Sequence, residues 1–215
     1  MSAAAQTHQI RTGGDVLDVS PVIPVVVVEQ VEQAVPLAQA LLRGGIPIIE
    51  ITLRSAAGLA AIEAVASQVE GMVVGAGTVL TPAAVRDVHA AGGRMIVAPN
   101  FDAAVVRESV RLGMVSLPGV MSPTEAFAAL AAGAAALKLF PAEAIGPAVV
   151  KALRAVLDPT VRVLPVGGIT PANIADYRAA GASGFGIGSS LYKPGMTVAQ
   201  VAVQARRWVD TWRAR

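Results

Sequence analysis

From Pro21 onward the chain alternates between strand-like and helix-like segments, and it does so eight times. The strand-like runs are rich in valine and isoleucine and apolar at nearly every position, which is typical of parallel strands covered on both faces. These predicted strands are residues 22–28, 47–52, 72–77, 95–98, 115–117, 135–139, 161–166 and 184–187. The alanine- and leucine-rich helical segments between them are residues 32–43, 56–69, 82–91, 103–112, 123–132, 146–157, 171–180 and 198–213.

The strand–helix units repeat at a spacing of roughly 22–25 residues, which is too regular for a dinucleotide-binding domain joined to a second domain. The pattern instead predicts a single closed (β/α)8 TIM barrel, small for its class, with its site at the carboxyl ends of the strands. A hydroxyl residue before a proline predicts three of the helix starts, at Thr81, Ser122 and Thr170.

Residues 1–18 are predicted to form a mobile leader, and residues 19–215 the barrel domain. The leader is polar and has no apolar segment long enough for a signal peptide, so the expected location is the cytoplasm. The longest apolar run, residues 126–137, is too short for a membrane span of about 20 residues. The formal net charge is only +2, and the basic residues are scattered. We therefore expect neither a membrane nor a nucleic acid as a partner.

The composition removes several kinds of active site. The 215 residues include no cysteine and only two histidines, His8 and His89. Thiolate metal sites and cysteine nucleophiles are thereby excluded, and histidine-rich metal sites and Ser-His-Asp machinery are nearly so. We expect no metal ion, and acid–base chemistry must come from a carboxylate, a lysine or a tyrosine.

Glu50 stands in the middle of the second predicted strand, where alternation puts it on the same face as Thr52 and Arg54. A buried carboxylate is costly unless it is paired or functional. One interpretation is a structural ion pair with Arg54. The other is a general acid–base carboxylate whose pKa is raised by burial.

Lys138 interrupts the sixth predicted strand, one of the most apolar stretches of the chain. Lysine is almost never fully buried without a reason. Burial disfavours the charged ammonium and so provides a neutral amine that can attack a carbonyl carbon. The alternative is an ion pair with Glu50 or Glu143 that serves stability alone.

Glycine-rich turns follow the last two strands, with Gly167 and Gly168 after the seventh and Gly188 and Ser189 after the eighth. In many β/α barrels the loops at these two places bind phosphate. Exposed backbone N–H groups and a helix N-terminus favour an anion there. The pair of loops therefore predicts a phosphate site.

The third strand ends in residues 75–78 (GAGT), which resemble a dinucleotide-binding turn only in part. Leu80 occupies the position of the third glycine, so we exclude a dinucleotide site. Two glycines followed by the hydroxyl of Thr78 suit the close approach of a small anion. Pro99 and Pro118, which end the next two strands, are interpreted as turn residues.

Taken together, these groups suggest one class of reaction. Lys138 would form a Schiff base with a keto group, while Arg54 and Thr78 hold a carboxylate. The glycine loops would hold a phosphate. The predicted partner is thus a small phosphorylated keto acid.

Four segments resemble the class I aldolases of 2-keto-3-deoxy-6-phosphosugar acids: residues 45–54 (GIPIIEITLR), 74–80 (VGAGTVL), 137–143 (LKLFPAE) and 167–169 (GGI). The resemblance extends over nearly the whole chain. It implies a homotrimer of small β/α barrels that requires neither a metal nor an organic cofactor.

The same resemblance implies roles for individual residues. Lys138 matches the Schiff-base lysine, and Glu50 matches the glutamate that moves protons. The carboxylate-binding and pyruvate-lining positions match Arg54, Thr78, Pro99 and Phe140. The phosphate-binding positions match Gly167, Gly168, Gly188 and Ser189.

Two branches of this family act on the gluconate and galactonate epimers at C4. Val166 stands where the gluconate branch usually has threonine, and a valine cannot hydrogen-bond a C4 hydroxyl. Ser190 departs from the galactonate branch, which can carry an acidic residue there. The resemblance implies cleavage of 2-dehydro-3-deoxy-6-phosphogalactonate to pyruvate and D-glyceraldehyde 3-phosphate, with the gluconate epimer, or both epimers, as the alternative.

Two other functions are compatible with these residues. A phosphate-binding isomerase or synthase would use Glu50 as base and Lys138 as acid without covalent chemistry. An inactive sugar-phosphate binder would use neither. Borohydride trapping with pyruvate distinguishes an aldolase from the first, and pyruvate release distinguishes it from the second.

Overall fold

The computed structural model describes residues 13–214, with side chains from Val16 onward. Within this range the strands in chain order are β1 Val22–Val26, β2 Ile48–Thr52, β3 Val73–Gly77, β4 Met95–Val97, β5 Val115–Leu117, β6 Gly119–Val120, β7 Ala136–Leu139, β8 Arg162–Pro165 and β9 Phe185–Ile187. The helices of the same range are α1 Gly13–Asp18, α2 Ala34–Arg43, α3 Gly58–Gln68, α4 Pro82–Ala90, α5 Ala103–Arg111, α6 Pro123–Ala131, α7 Ala142–Arg154, α8 Ile174–Ala179 and α9 Val198–Arg213. A 3-10 turn, Val31–Gln33, precedes α2.

The strands pair in parallel in two groups. Six strands form a curled sheet in the order β5-β4-β3-β2-β1-β9, and three form a second sheet in the order β6-β7-β8. The predicted α/β class with a parallel sheet is confirmed in this form. Parallel pairing places the carboxyl ends of neighbouring strands at one edge, where a site can be assembled from several loops.

The two sheets meet along the chain at Pro118, which separates β5 from β6 and has no N–H to donate. Ala135 N donates to Ser116 O at 3.0 Å, and Lys138 N donates to Pro118 O at 3.0 Å. At the opposite edges, Ser183 N donates to Val163 O at 2.9 Å, and an isolated bridge joins the segments that contain β8 and β9. Hydrogen bonds of residues next to β7 and β9, together with the isolated bridge, therefore connect the two sheets on both sides.

The strands are covered on both faces, as their continuous apolar character predicts. All five residues of β2 are buried, and so are all five of β3. Helix α9 closes part of this core with Trp208, which is fully buried. The large buried area explains how a chain with only 15% charged residues can fold around one interior.

The prediction of a mobile leader over residues 1–18 is wrong for residues 13–18. Gly13–Asp18 forms helix α1, and the side chains of Val16 and Leu17 belong to the hydrophobic core. Asp18 also forms an ion pair with Arg162 at the start of β8. The apolar pair in this short segment anchors it to the fold, so the boundary at residue 18 lies too late. Residues 1–12 of the predicted leader lie outside the described residues.

The helix starts were predicted correctly at Thr81 and Ser122, whose side chains accept hydrogen bonds from the first turns of α4 and α6. The start predicted at Thr170 is wrong, because α8 begins only at Ile174. The helix predicted from residue 146 corresponds to the second part of α7. The backbone of Gly146 is not helical (φ 67°, ψ 173°) and separates this part from a short helical segment that begins at Ala142.

Candidate active site

Glu50 occupies the centre of the curled sheet, in register with Val25 of β1 and Gly75 of β3. Its side chain lies over Gly77, where an added Cβ would stand 2.0 Å from Glu50 Oε1. Only glycine therefore leaves room for the carboxyl group at this place. The residue is 3% exposed, as expected for a carboxyl group drawn into the interior of the fold.

The structural ion pair considered for Glu50 is not formed. Among the described side chains, its carboxyl group makes no salt bridge, and Arg54 instead donates from Nε to Thr52 Oγ1 at 3.4 Å. Arg54 lies in the turn directly after β2 and is exposed. The guanidinium thus stands at the strand end, free of a carboxylate partner within the described chain.

Lys138 lies in the middle of β7 and is 6% exposed. It is in register with Gly119 of β6 and Leu164 of β8. Its Nζ lies 4.9 Å from the centre of the Phe140 ring, and no carboxylate of the described residues pairs with it. The ion pairs considered for Lys138 are therefore absent from residues 16–214, and stability alone does not account for its burial.

The pKa of Glu50 depends on its burial and on the charges of Lys138 and Arg54. Burial raises the pKa of the Glu50 carboxyl above its ordinary value of 4.5, and the charges of Lys138 and Arg54 partly oppose that rise. A carboxyl group with a raised pKa exchanges protons closer to neutral pH, which is what a general acid–base catalyst requires. The arrangement thus places a proton-exchanging group within electrostatic reach of a buried amine.

Thr78 follows β3 and has a backbone φ of 61°, in the left-handed region. A β-branched residue is strained there, at a cost of roughly 1–3 kcal/mol. Such strain persists where the surrounding structure fixes the backbone, and it is common at binding sites. Pro99 follows β4, and its carbonyl oxygen lies so close to Gly119 that an added Cβ would approach it to 2.2 Å.

A cavity of about 340 Å³ opens between the loops that follow β8 and β9. Its lining brings together all four residues predicted to bind phosphate, together with Val166 and Phe140. The full lining is Val25, Phe140, Glu143, Val166, Gly167, Gly168, Ile169, Thr170, Gly186, Gly188, Ser189 and Ser190. Lys138, Glu50, Arg54, Thr78 and Pro99 do not line this cavity, but Phe140 does, and its ring lies 4.9 Å from the Lys138 amine.

The two loops carry several backbone N–H groups without an acceptor among the described residues. Within residues 13–214, five of their N–H groups donate to no acceptor: those of Gly168, Ile169, Gly188, Ser189 and Ser190. Several of their carbonyl groups, by contrast, are engaged: Gly168 O accepts from Asn173 Nδ2, and Ile169 O accepts from Ser190 Oγ. Unpaired N–H groups around a concave surface attract anions. The predicted helix N-terminus is not at this loop, since α8 begins later, so the loops themselves supply the donors.

Asn173 was missed by the sequence reasoning, and Ser190 was noted there only as a departure. The Thr170-Pro171 pair looked like a helix start, so Asn173 was placed inside a helix. Its side chain instead belongs to the loop. Asparagine side chains commonly bond to nearby backbone groups in turns, so an asparagine five residues after Gly168 could have indicated this role.

The described residues contain no group of three or more histidine, aspartate or glutamate side chains that could hold a metal ion. Among the same residues, no helix is both long enough and apolar enough to cross a membrane.

Known proteins share this sequence and arrangement. A family model described as KDPG and KHG aldolase matches residues 14–204. A probable 2-dehydro-3-deoxy-6-phosphogalactonate aldolase of Rhizobium meliloti (strain 1021) is 47% identical over 175 residues, 81% of this chain and 82% of the relative. The 2-dehydro-3-deoxy-6-phosphogalactonate aldolase of Escherichia coli (strain K12) is 41% identical over 183 residues, 85% of this chain and 89% of the relative.

Solved structures agree with the sequence comparison. A structure described as native KDPGal superimposes with a TM-score of 0.87 at 39% identity, over 90% of this chain and 95% of that one. The chain belongs to the KDPG and KHG aldolase family.

Proposed function

We propose that the protein is a Schiff-base aldolase that cleaves 2-dehydro-3-deoxy-6-phosphogalactonate to pyruvate and D-glyceraldehyde 3-phosphate. The observation that carries the proposal is the buried Lys138 amine, which has no ion-pair partner among the described side chains and lies 4.9 Å from the ring of Phe140, a residue that lines the cavity. The names of the two relatives above support this substrate.

The proposed reaction begins when the Lys138 Nζ attacks the C2 ketone of the substrate. Glu50 moves the protons that convert the carbinolamine into an imine and water. Glu50 then takes the proton of the C4 hydroxyl, directly or through water, as the C3–C4 bond breaks and glyceraldehyde 3-phosphate leaves. The bond electrons pass into the protonated imine, giving an enamine, so the scheme requires neither a metal nor an organic cofactor. Glu50 returns a proton to the enamine, and hydrolysis releases pyruvate.

The substrate is proposed to span the site from the turn after β2 to the loops after β8 and β9. Its carboxylate would be bound by the Arg54 guanidinium and the Thr78 hydroxyl, with Pro99 and Phe140 against the pyruvate methyl end. Its phosphate would be bound at the unpaired N–H groups of the cavity loops. The engaged carbonyl groups of those loops support this placement, because few carbonyl oxygens are left to repel the anion.

We propose that the two sheets form one closed barrel. The hydrogen bonds between the two sheets at Pro118 and at Ser183 support a continuous (β/α)8 arrangement in which β5 and β6 form one interrupted strand. Closure would bring the ends of β2, β3 and β7 around one mouth.

Selectivity for the C4 epimer is proposed to depend on Val166, which packs against Gly186 and lines the cavity. We expect Val166→Thr to shift the ratio of kcat/KM values roughly 3–10-fold toward the gluconate epimer, the effect of about one added hydrogen bond. The measurement is pyruvate release on both epimers side by side, for the protein and the variant, and it also tests the proposed substrate. A wild-type preference for the gluconate epimer would favour the alternative substrate, and equal rates would remove the proposed selectivity.

The proposal includes a homotrimer. Four large apolar side chains between residues 80 and 127 are about half exposed: Leu80, Val110, Met121 and Phe127. We expect the protein to have the mass of three chains in solution and Phe127→Glu to have the mass of one, because an interface cannot bury an unpaired carboxylate cheaply. Light scattering measures both masses. Val203→Glu on α9, also an exposed position, should remain a trimer. A trimeric Phe127→Glu protein would place the interface elsewhere.

A further inference from the structure

Asn173 makes two side-chain hydrogen bonds to the loop that follows β8. Its Nδ2 donates to Gly168 O at 2.9 Å, and its Oδ1 accepts from Thr170 N at 2.9 Å. The side chain thus spans the loop as a clamp on both sides of Ile169. Gly167 and Gly168 have φ values of 100° and 67°, so the clamped backbone has a conformation that an unclamped loop need not keep.

Ser190 ties that loop to the one that follows β9. Its Oγ donates to Ile169 O at 2.8 Å, and its own carbonyl oxygen accepts from Trp208 Nε1 at 3.4 Å. Trp208 is fully buried in α9, so the connection ends in the rigid core. The two loops are therefore held to each other and to the fold, rather than folding independently.

These bonds have a common effect on polarity. Three of the four engage a loop carbonyl oxygen, those of Gly168, Ile169 and Ser190, while the N–H groups of Gly168, Ile169 and Ser190 stay unpaired among the described residues. Gly188 O is engaged in the same manner, by Leu191 N and Tyr192 N. An anion-binding nest depends on such an orientation of successive N–H groups.

We infer that Asn173 and Ser190 are positioning residues that lock the two cavity loops into one preorganised nest for the phosphate of the substrate. The inference rests on the proposed function, since it assigns the phosphate to these loops. Neither side chain supplies the chemistry. Their contribution is to the affinity for the phosphorylated end alone.

The test compares Asn173→Ala and Ser190→Ala with the wild-type enzyme. We expect each to raise the KM for the phosphorylated keto acid and the inhibition constant of glycerol 3-phosphate by about tenfold, the effect of roughly one to two net hydrogen bonds. Borohydride trapping of pyruvate, which has no phosphate, should be unchanged. The double variant should fall short of the product of the two effects, because both side chains act on one loop.

Ser67→Ala is the matched control. Ser67 Oγ also donates to a backbone carbonyl, Glu63 O, at 2.8 Å, but it lies on the exposed surface of α3. Ser67→Ala should leave the KM, the inhibition constant of glycerol 3-phosphate and the trapping of pyruvate unchanged. The inference is overturned if glycerol 3-phosphate inhibits Asn173→Ala and Ser190→Ala as well as the wild type, or if pyruvate trapping falls in parallel with phosphate affinity.

A different measurement shows whether the proposed aldolase function fails, independently of the role of Asn173 and Ser190. A wild-type protein that traps no pyruvate would contradict the aldolase reaction itself. Calorimetric binding of glycerol 3-phosphate to the wild-type and variant proteins would still decide the role of Asn173 and Ser190, because that measurement needs no turnover.

Discussion

Lys138→Ala is expected to lose aldolase activity by a factor on the order of 10⁴ or more, because the imine that accepts the bond electrons can no longer form. Incubation of the wild-type protein with pyruvate and borohydride should add one reduced pyruvate to the chain, on the peptide that contains Lys138. The variant should add none. Intact-protein and peptide mass spectrometry measure both results.

Two control variants make this experiment specific. Lys151→Ala removes an exposed lysine of α7 and should trap pyruvate as the wild type does. Lys138→Arg keeps the positive charge but cannot form the imine, so it should be as inactive as the alanine variant. Substantial activity in Lys138→Arg would favour an isomerase-type mechanism in which the residue acts only as an acid. Persistent trapping at another lysine would contradict the assignment.

Glu50→Gln is expected to lower kcat by about 10²–10⁴-fold, the usual contribution of a general acid–base group. The glutamine has nearly the same shape as the carboxyl group and fits the space over Gly77, so packing should be kept. The wild-type rate should also fall at acid pH, with a midpoint above the ordinary carboxyl range, because burial raises the pKa of Glu50. That acid limb should be missing from the variant. A variant with wild-type kcat would exclude Glu50 from the chemistry.

The same variant should be more stable than the wild type at neutral pH. Below pH 4.5 the Glu50 carboxyl is protonated in the folded and unfolded chains, so ionisation does not affect stability. Above that pH the Glu50 carboxyl ionises in the unfolded chain, whereas in the folded chain its raised pKa keeps it protonated. The stability of the wild-type protein therefore declines until the pH passes the raised pKa. The stability of Glu50→Gln shows no such decline, because glutamine does not ionise. Thermal unfolding from pH 4 to 8 should therefore show the difference in Tm growing with pH, and a constant difference would contradict the raised pKa.

The strands and the two central residues were accessible from sequence because burial leaves a strong signal. Each of the eight predicted strands has a counterpart in the fold, and Glu50 and Lys138 stood out as charges in apolar runs. The cost of burying an unpaired charge makes such positions informative without any alignment. Their roles in catalysis remain predictions.

The features that sequence reasoning missed depend on contacts between distant segments. Helix α1 is held by the core, and no local pattern in a short polar segment shows that Val16 and Leu17 will be buried. The clamp formed by Asn173 was hidden because Thr170-Pro171 is a good helix start by local rules. The tertiary hydrogen bonds of the loop prevailed over that preference. Pro118 similarly looked like a turn, and only the pairing of β5 and β6 with different neighbours shows where the sheets meet.

The backbone character of the cavity loops has a consequence for evolution and for protein engineering. A ligand group bound by main-chain N–H groups is bound by atoms that every amino acid except proline possesses. Apart from Gly167 and Gly168, whose positive φ values favour glycine, the loop residues could therefore change without losing the donors. Under the proposed function, phosphate binding by the two loops would be retained while side chains near the reacting carbons, such as Val166, change. Libraries aimed at new aldehydes should therefore vary Val166 and keep Asn173 and Ser190, whereas acceptors without a phosphate would require a rebuilt loop.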